Sequence, residues 1–342
     1  MYRGHTIATV VPAYNERGLI TDVLASIPTF VDRVYVVDDC STDGTYEEVR
    51  QYVERASSAD DGSDAVDDDA TEATGGREFP GDRIVTIRHE RNRGAGAAIK
   101  TGYLHALADG IDVTATIDGD GQMDPRALST VVAPVVEGTA DYAKGNRLVG
   151  ASERGDMPAF RWVGNWLLTG LTKVASGYWG LRDPQNGYTA ISHDALAAID
   201  VEDVYEYYGY CNDVLVRLNA AEQRVADVPM PAAYGDEESA ISYHEYVPRV
   251  SSMLARTFRW RLRVKYLDGR VHPLAVAYLL AFASVVVGVG SALLALASGG
   301  AGADAPVGGV TVVSALLACG LFATVGMALD WHENRSLGVR LR

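Results

Sequence analysis

Short runs of apolar, β-branched residues alternate with longer helix-like stretches along the N-terminal third of the chain. The short runs predict β-strands at 6–11, 33–38, 83–88 and 112–117, and the stretches predict helices at 17–27, 43–55 and 95–109. Strands that alternate with helices are typical of a mostly parallel sheet covered on both faces. The pattern therefore predicts an α/β fold that binds its ligands beyond the carboxyl ends of the strands.

Polar residues follow three of these strands at the point where each strand ends. The three clusters are Asn15–Glu16, Asp38–Asp39 and Asp118–Asp120. Because the carboxyl ends of parallel strands meet at one edge of a sheet, we expect the clusters to converge there. Core packing does not require polar residues at these positions, so the clusters predict a binding site.

Two long uncharged stretches, 274–297 and 307–329, change the character of the chain near its C-terminus. Each is long enough to cross the roughly 30 Å of hydrocarbon in a bilayer. Basic residues precede the first stretch and follow the second, while the segment between them has no Lys or Arg. The positive-inside rule predicts a transmembrane hairpin in the cell membrane with both flanks in the cytosol. A buried helical pair of a soluble domain is the alternative.

A segment that mixes Arg with aromatic and aliphatic residues, 246–267, precedes the hairpin. It predicts an amphipathic helix in the membrane interface with its Arg residues facing lipid phosphates, and a helix packed on a protein core is the alternative. We therefore divide the chain into an α/β domain at 1–243, an interfacial helix at 244–270 and a hairpin with a basic tail at 271–342. Pro12 breaks the N-terminal apolar run, unlike in a signal peptide, so we expect the α/β domain in the cytosol.

The chain is acidic, with 45 Asp and Glu against 30 Lys and Arg and a formal net charge of −15. Such a composition is typical of proteins that stay soluble in high salt, as in a halophile, and it argues against nucleic acid as a partner. Residues 57–79 are acidic and without periodicity, which predicts a solvated insertion loop. The three Cys are far apart and the seven His lack ligand spacing, so neither a disulfide framework nor a zinc site is expected.

Six motifs occur in a fixed order: VVPAYNE, VVDDCSTDGT, TIDGDGQ, GNR, DPQNGY and GYCND. Together they resemble those of the family 2 glycosyltransferases of GT-A fold, and most closely those of the dolichyl-phosphate mannosyltransferases and glucosyltransferases. The resemblance covers about residues 5–245. It implies a Rossmann-like catalytic domain that uses a nucleotide sugar, a divalent cation and a polyprenyl phosphate.

The resemblance also implies a role for individual residues. Those that would bind the nucleotide sugar are Pro12, Ala13, Tyr14, Glu16, Asp39, Asp118, Gly119, Asp120, Gln122, Arg147, Asp183 and Gln185. Asp120 and Gln122 would hold Mg²⁺ or Mn²⁺, whose preferred ligands are oxygens. Arg147 would face the phosphates, and with Arg161 it would receive the phosphate of the acceptor.

The segment TIDGDGQMDP carries three acids, and these need not share a role. If Asp118, Asp120 and Gln122 are extended, they face the same side of the chain. The intervening glycines would allow a diphosphate to approach closely. Asp124 precedes Pro125 and a helix-like stretch, so we expect it to cap that helix. Surface charge without a ligand is the alternative for all three acids.

The implied reaction is the inverting transfer of a hexose from a UDP- or GDP-sugar to dolichyl phosphate, with Asp120, Arg147 and Asp213 as catalytic residues. The lipid-linked product would feed protein glycosylation. Because a phosphate oxygen is already anionic, Asp213 either acts as a general base or orients a substrate. Two alternatives remain open: transfer to a sugar hydroxyl, with Asp213 as the base, and a nucleotide-sugar-binding membrane protein without turnover. The oligomeric state, the sugar and the nucleotide are not predicted.

Overall fold

The computed structural model describes residues 1–60, 80–147, 159–230, 243–269, 271–297 and 305–341. The strands are β1 (Ile7–Ala13), β2 (Arg33–Asp38), β3 (Ile84–Arg88), β4 (Val113–Thr116), β5 (Tyr142–Asn146), β6 (Thr189–Ser192), β7 (Val225–Pro229) and β8 (Gly338–Arg340). The helices are α1 (Ile20–Ser26), α2 (Thr45–Asp60), α3 (Ala95–Ala108), α4 (Leu128–Val136), α5 (Ala159–Ser176), α6 (His193–Ala198), α7 (Tyr210–Ala220), α8 (Tyr243–Tyr266), α9 (Pro273–Ala297) and α10 (Ala305–Asn334).

The strands form one mixed sheet in the order β3-β2-β1-β4-β6-β5-β7-β8, in which β6 is antiparallel to β4 and β5. The predicted strands and helices of the N-terminal third are confirmed as β1 to β4 and α1 to α3. Helix α2 continues to Asp60, so the first four residues of the predicted insertion loop are helical. The rest of that loop, 61–79, lies outside the described residues.

Both faces of the sheet are buried, as a sheet flanked by crossover helices requires. Val11 and Val36 face one layer of core residues, which includes Leu24 of α1. Val10 faces the other layer, which includes Ile99 of α3. Since neighbouring residues of a strand point to opposite faces, the strands are apolar throughout, and their ends become the place for polar chemistry.

Helix α8 lies against the catalytic domain with one face and exposes the other. Val250, Met253 and Leu254 are buried against α5 and α7, while Arg256 and Arg259 are exposed. Arg261 is 0% exposed and pairs with Asp330 of α10. The expectation that the Arg residues of this segment face lipid is therefore wrong for Arg261.

Helices α9 and α10 pack side by side, and both are long and apolar enough to cross a membrane. Small residues allow this approach: a Cβ on Gly288 would lie 3.2 Å from the Cβ of Ala315. The outer surface of the pair is apolar and exposed at many positions, including Leu294 (73%) and Leu317 (70%). Of the predicted connection, 298–306, the last two residues belong to α10, and 298–304 lie outside the described residues.

The chain returns from α10 to the catalytic sheet. Residues of the predicted basic tail form β8, which pairs in parallel with β7 through Ala226 and Val339. The tail is thus part of the catalytic domain, contrary to the separate flank expected from the sequence. Because β8 follows α10 closely, the C-terminal end of α10 lies on the same side of any membrane as the catalytic domain.

Candidate active site

The predicted convergence of polar clusters is confirmed, because β2, β1 and β4 are parallel neighbours. Hydrogen bonds join the loops that follow them. Asn15 N donates to Ser41 Oγ (3.0 Å), and Thr42 N donates to Asn15 Oδ1 (2.9 Å). Gly119 N donates to Pro12 O (3.2 Å). Asn15 has a φ of +59°, which Asn tolerates better than most residues, and this turn was not identified from the sequence.

The residues expected around the base and ribose lie at the mouth of this crevice. Ala13 ends β1 and is buried, whereas the Tyr14 side chain is 45% exposed. Glu16 N donates to Thr45 Oγ1 (2.9 Å), which ties the loop after β1 to α2. The exposed ring of Tyr14 offers a surface on which a base can stack.

Asp39 is buried and accepts hydrogen bonds from the loop that precedes α3. The donors are the backbone N–H of Arg93 (2.9 Å) and of Gly94 (2.7 Å), and the imidazole Nδ1 of His89 lies 2.7 Å away. His89 Nε2 also lies 2.9 Å from Thr101 Oγ1. Asp39 therefore shapes the loop before α3, and His89 contacts this predicted site residue although its sequence context did not reveal it.

The DGDGQ segment is a turn, which corrects the extended geometry assumed for it. Gln122 N donates to Asp120 Oδ1 (2.9 Å), and Gly121 has a φ of +75°. A Cβ on Gly119 would lie 2.9 Å from Pro12 O, so the close approach made possible by this glycine is to β1. Asp118 and Asp120 are half-buried and Gln122 is exposed, so the three do not share one face of a strand.

The electrostatics of this turn fit a divalent cation. Burial and, to a smaller extent, the Asp120 carboxylate raise the pKa of Asp118 to about 7, although Arg147 opposes both. Two carboxylates that disfavour each other's ionisation are stabilised by a cation with oxygen ligands. Within the described ranges no group of three or more His, Cys, Asp or Glu is placed to hold a metal. A cation here would complete its coordination with phosphate oxygens and water.

Arg147 is positioned by Asp183 and a buried lysine. Arg147 Nε donates to Asp183 Oδ2 (2.9 Å), and Lys144 Nζ donates to the backbone carbonyl of Asp183. Burial works to raise the pKa of Asp183, but Lys144 and Arg147 outweigh it and hold that pKa below its ordinary value. Burial lowers the pKa of Lys144, whose side chain is 0% exposed. Lys144 was not identified as a site residue, although a lysine within an apolar strand is a recognisable signal.

Three other predicted residues have different surroundings. Gln185 is half-buried in the loop before β6. Arg161 belongs to α5, and its side chain lies outside the described residues. Asp124 accepts a hydrogen bond from Arg126 N (3.0 Å) and caps the 3₁₀ turn Pro125–Ala127, which confirms its predicted role.

Asp213 is buried in the first turn of α7, with 1% of its surface exposed. Its Oδ2 accepts hydrogen bonds from Tyr205 N (2.9 Å) and Arg217 Nε (3.1 Å). Its Oδ1 is buried without a hydrogen-bond partner among the described residues. In this arrangement Asp213 holds the loop before α7, and its catalytic role stays a prediction.

An exposed tyrosine on that loop faces the acids. Tyr208 is 55% exposed, and its pKa is raised by partial burial and then by the carboxylates of Asp118, Glu16 and Asp120. The phenol therefore lies within electrostatic range of the site. The aromatic run YEYYGY, residues 205–210, is the sequence signal that could have identified it.

Comparisons with known proteins place these features in a family. Residues 9–200 match the model of glycosyl transferase family 2. The UDP-N-acetylglucosamine–dolichyl-phosphate N-acetylglucosaminyltransferase of Methanococcus voltae is 27% identical over 68% of this chain and 88% of its own length. A dolichyl-phosphate beta-glucosyltransferase of Trichomonas vaginalis is 24% identical over 68% of this chain and 66% of its own.

The fold is shared with a solved structure. Glucosyl-3-phosphoglycerate synthase from Mycobacterium tuberculosis, crystallised with Mn²⁺, UDP-glucose and phosphoglyceric acid, superposes with a TM-score of 0.50 at 19% identity. The match covers 75% of this chain and 80% of that one. The architecture is therefore that of the GT-A fold. Since the family model spans more than half of the sequence, the chain belongs to glycosyl transferase family 2.

Proposed function

We propose that this protein transfers a hexose from a UDP- or GDP-sugar to dolichyl or another polyprenyl phosphate, with inversion at the anomeric carbon. The product would be a β-linked lipid monosaccharide for protein glycosylation. Two relatives whose names specify dolichyl-phosphate sugar transfer support this acceptor.

The observation that carries the proposal is the carboxylate pair of Asp118 and Asp120 beside Arg147 at the strand ends. A nucleotide diphosphate leaves only when its negative charge is stabilised. Asp120 and Gln122 would hold Mg²⁺ or Mn²⁺, which supplies that stabilisation when bound. Arg147 is held by Asp183 at a fixed orientation, and a guanidinium so oriented binds phosphate oxygens well.

The surroundings of Asp213 favour a phosphate acceptor over a hydroxyl acceptor. A hydroxyl must lose a proton during attack and needs a base within hydrogen-bond reach. Asp213 is buried and bonded to Arg217 and Tyr205 N. A lipid phosphate attacks through an oxygen that is already anionic, so it needs no such base.

We propose further that α9 and α10 span the cell membrane and that the catalytic domain lies on its cytosolic face. In each of the two helices only 11% of the most apolar 18-residue window is buried, and an exposed apolar surface of this kind indicates contact with a membrane or a partner. Basic residues precede the first span and follow the second, and the segment between them has no Lys or Arg. Helix α8 and strand β8 would hold the strand-end crevice near the lipid headgroups.

The decisive experiment uses the purified full chain in detergent with dolichyl phosphate and, in turn, UDP-glucose, UDP-N-acetylglucosamine and GDP-mannose. We expect β-linked transfer from one donor, its loss in EDTA and its recovery with Mn²⁺ or Mg²⁺. The variant Asp120→Asn should lower kcat by about 10²–10³-fold. Asp124→Asn removes an acid from the same segment and should keep near-normal turnover. Donor binding without turnover from any sugar would instead support a non-catalytic binding protein.

A further inference from the structure

A cavity of about 690 Å³ lies between the loop after α5, strand β7 and the C-terminal strand β8. None of its lining residues belongs to the DGDGQ turn or to the predicted site residues. Its floor reaches Asn146, the residue before Arg147. We call it the tail cavity, because the segment 338–341 forms one of its walls.

The tail cavity has a charge opposite to that of the whole protein. Its basic lining residues are Lys173, Arg182, Arg335 and Arg340, and its one acidic lining residue is Asp227. In the part of the chain that the structure describes, none of these four cations has a carboxylate within ion-pair distance. In a chain of net charge −15, four cations without carboxylate partners around one cavity indicate an anionic ligand.

The position of the cavity indicates where that ligand comes from. Trp331 lines it from the last turn of α10 and is 52% exposed, and Arg335 lines it from the turn that follows the helix. Trp and Arg at the end of an apolar span mark the level of the lipid headgroups. Lys173 and Arg182 line the same cavity from the catalytic domain.

The buried carboxylate of Asp227 indicates a second property of the ligand. Its Oδ2 accepts hydrogen bonds from Asn146 Nδ2 (2.8 Å) and Arg182 N (3.1 Å). Its Oδ1 is buried and has no hydrogen-bond partner among the described residues. An acceptor atom in this position is satisfied by a ligand that donates a hydrogen bond, such as a hydroxyl group.

We propose that the tail cavity binds a membrane lipid whose headgroup carries both a phosphate and a hydroxyl, at a site separate from those of donor and acceptor. The cations would receive the phosphate, and Asp227 would accept from the hydroxyl. The occupant would pack β8, the end of α10 and the loop before β6 together. The inference rests on the proposed membrane insertion of the hairpin, but not on catalysis.

The test measures lipid binding by the full chain in detergent, without donor or acceptor. Phosphatidylglycerol, phosphatidylcholine and glycerol 3-phosphate are added in turn, and native mass spectrometry and thermal unfolding are recorded. We expect one retained phosphatidylglycerol and a raised Tm, with little effect of phosphatidylcholine. The double variant Arg182→Gln/Arg340→Gln should bind phosphatidylglycerol about tenfold or more weakly. Both side chains are exposed, so the variant should keep the Tm of the lipid-free protein.

A matched double variant, Arg256→Gln/Arg259→Gln, removes the same charge from the exposed face of α8 and should retain the lipid. If both double variants bind phosphatidylglycerol equally weakly, or if Arg182→Gln/Arg340→Gln binds it as the wild type does, the tail cavity is not the binding site. Equal stabilisation by glycerol 3-phosphate would overturn the assignment to a lipid. Because turnover is not measured, a failed lipid test leaves the transferase proposal intact, and a failed transferase assay leaves this one intact.

Discussion

Arg261 of α8 and Asp330 of α10 form an ion pair of 2.9 Å in which both side chains are 0% exposed. Arg261 Nη1 also donates to Asn219 Oδ1 of α7 (3.0 Å). One buried guanidinium thus joins the hairpin, the helix that precedes it and the catalytic domain. Removing one partner of such a pair leaves an uncompensated charge in the protein interior, which is more costly than removing both.

We therefore expect Asp330→Leu to destabilise the protein by about 3–5 kcal/mol, whereas the double variant Arg261→Met/Asp330→Leu should recover much of that loss. Thermal or denaturant unfolding in detergent measures the difference. Arg256→Met, on the exposed face of the same helix, serves as the control and should change little. If the destabilisation of the double variant equals the sum of those of Asp330→Leu and Arg261→Met measured singly, the pair is not coupled.

Gly177 makes room for the guanidinium of Arg261. It has a φ of +76°, and a Cβ there would lie 2.0 Å from Arg261 Nη1. Gly177→Ala should lower the free energy of unfolding by at least about 1–2 kcal/mol, since the left-handed conformation is strained for Ala and the clash adds to it. Gly180→Ala is the matched control, because no atom lies within 4 Å of a Cβ at that position. Comparable Tm values for the two variants would contradict the packing role.

The pH dependence of stability tests the same region through Lys265. Burial lowers the pKa of this lysine from 10.5 to about 8, although Glu222 opposes the shift. Between these values the unfolded chain binds the proton that the folded chain has lost, so stability should rise as the pH rises from about 8 to 10.5. Below pH 8 Lys265 is protonated in both the folded and the unfolded chain, so the full free-energy cost of burying its charge opposes folding. The variant Lys265→Met should flatten this rise in Tm, and Arg259→Met should leave it unchanged.

The DGDGQ turn and Arg261 show what the sequence could and could not reveal. Strand ends and motif order depend on local patterns, so the crevice at β1, β2 and β4 could be predicted. The turn at Asp120 depends on the hydrogen bond to Gln122 N and on the left-handed Gly121, neither of which a period-two pattern contains. The burial of Arg261 depends on Asp330, which is distant along the chain and invisible to helical periodicity.

Variants of Asp213 and Arg217 distinguish a catalytic role of Asp213 from a positioning role. Its carboxylate holds Arg217 and Tyr205 N, so Asp213→Asn and Arg217→Gln should reduce kcat similarly, by roughly tenfold or less, with unchanged pH profiles. A general base would behave differently. Asp213→Asn would then lower kcat by about 10²–10⁴-fold and remove the acidic limb of the profile, while Arg217→Gln would retain that limb. Turnover with dolichyl phosphate across pH 5–9 distinguishes the two roles.

Strand β8 anchors the end of the hairpin to the catalytic sheet, and its sequence, GVR, is too short to have been identified as a strand. Val339 packs on the core of the sheet and pairs with Ala226, whereas Ser336 is exposed in the preceding turn. Val339→Asp places a charge on this apolar contact and should lower the free energy of unfolding by about 2–3 kcal/mol. It should also expose the segment after α10 to limited proteolysis. Ser336→Asp adds the same charge nearby and should do neither. If both variants resist protease as the wild type does, β8 does not anchor the hairpin.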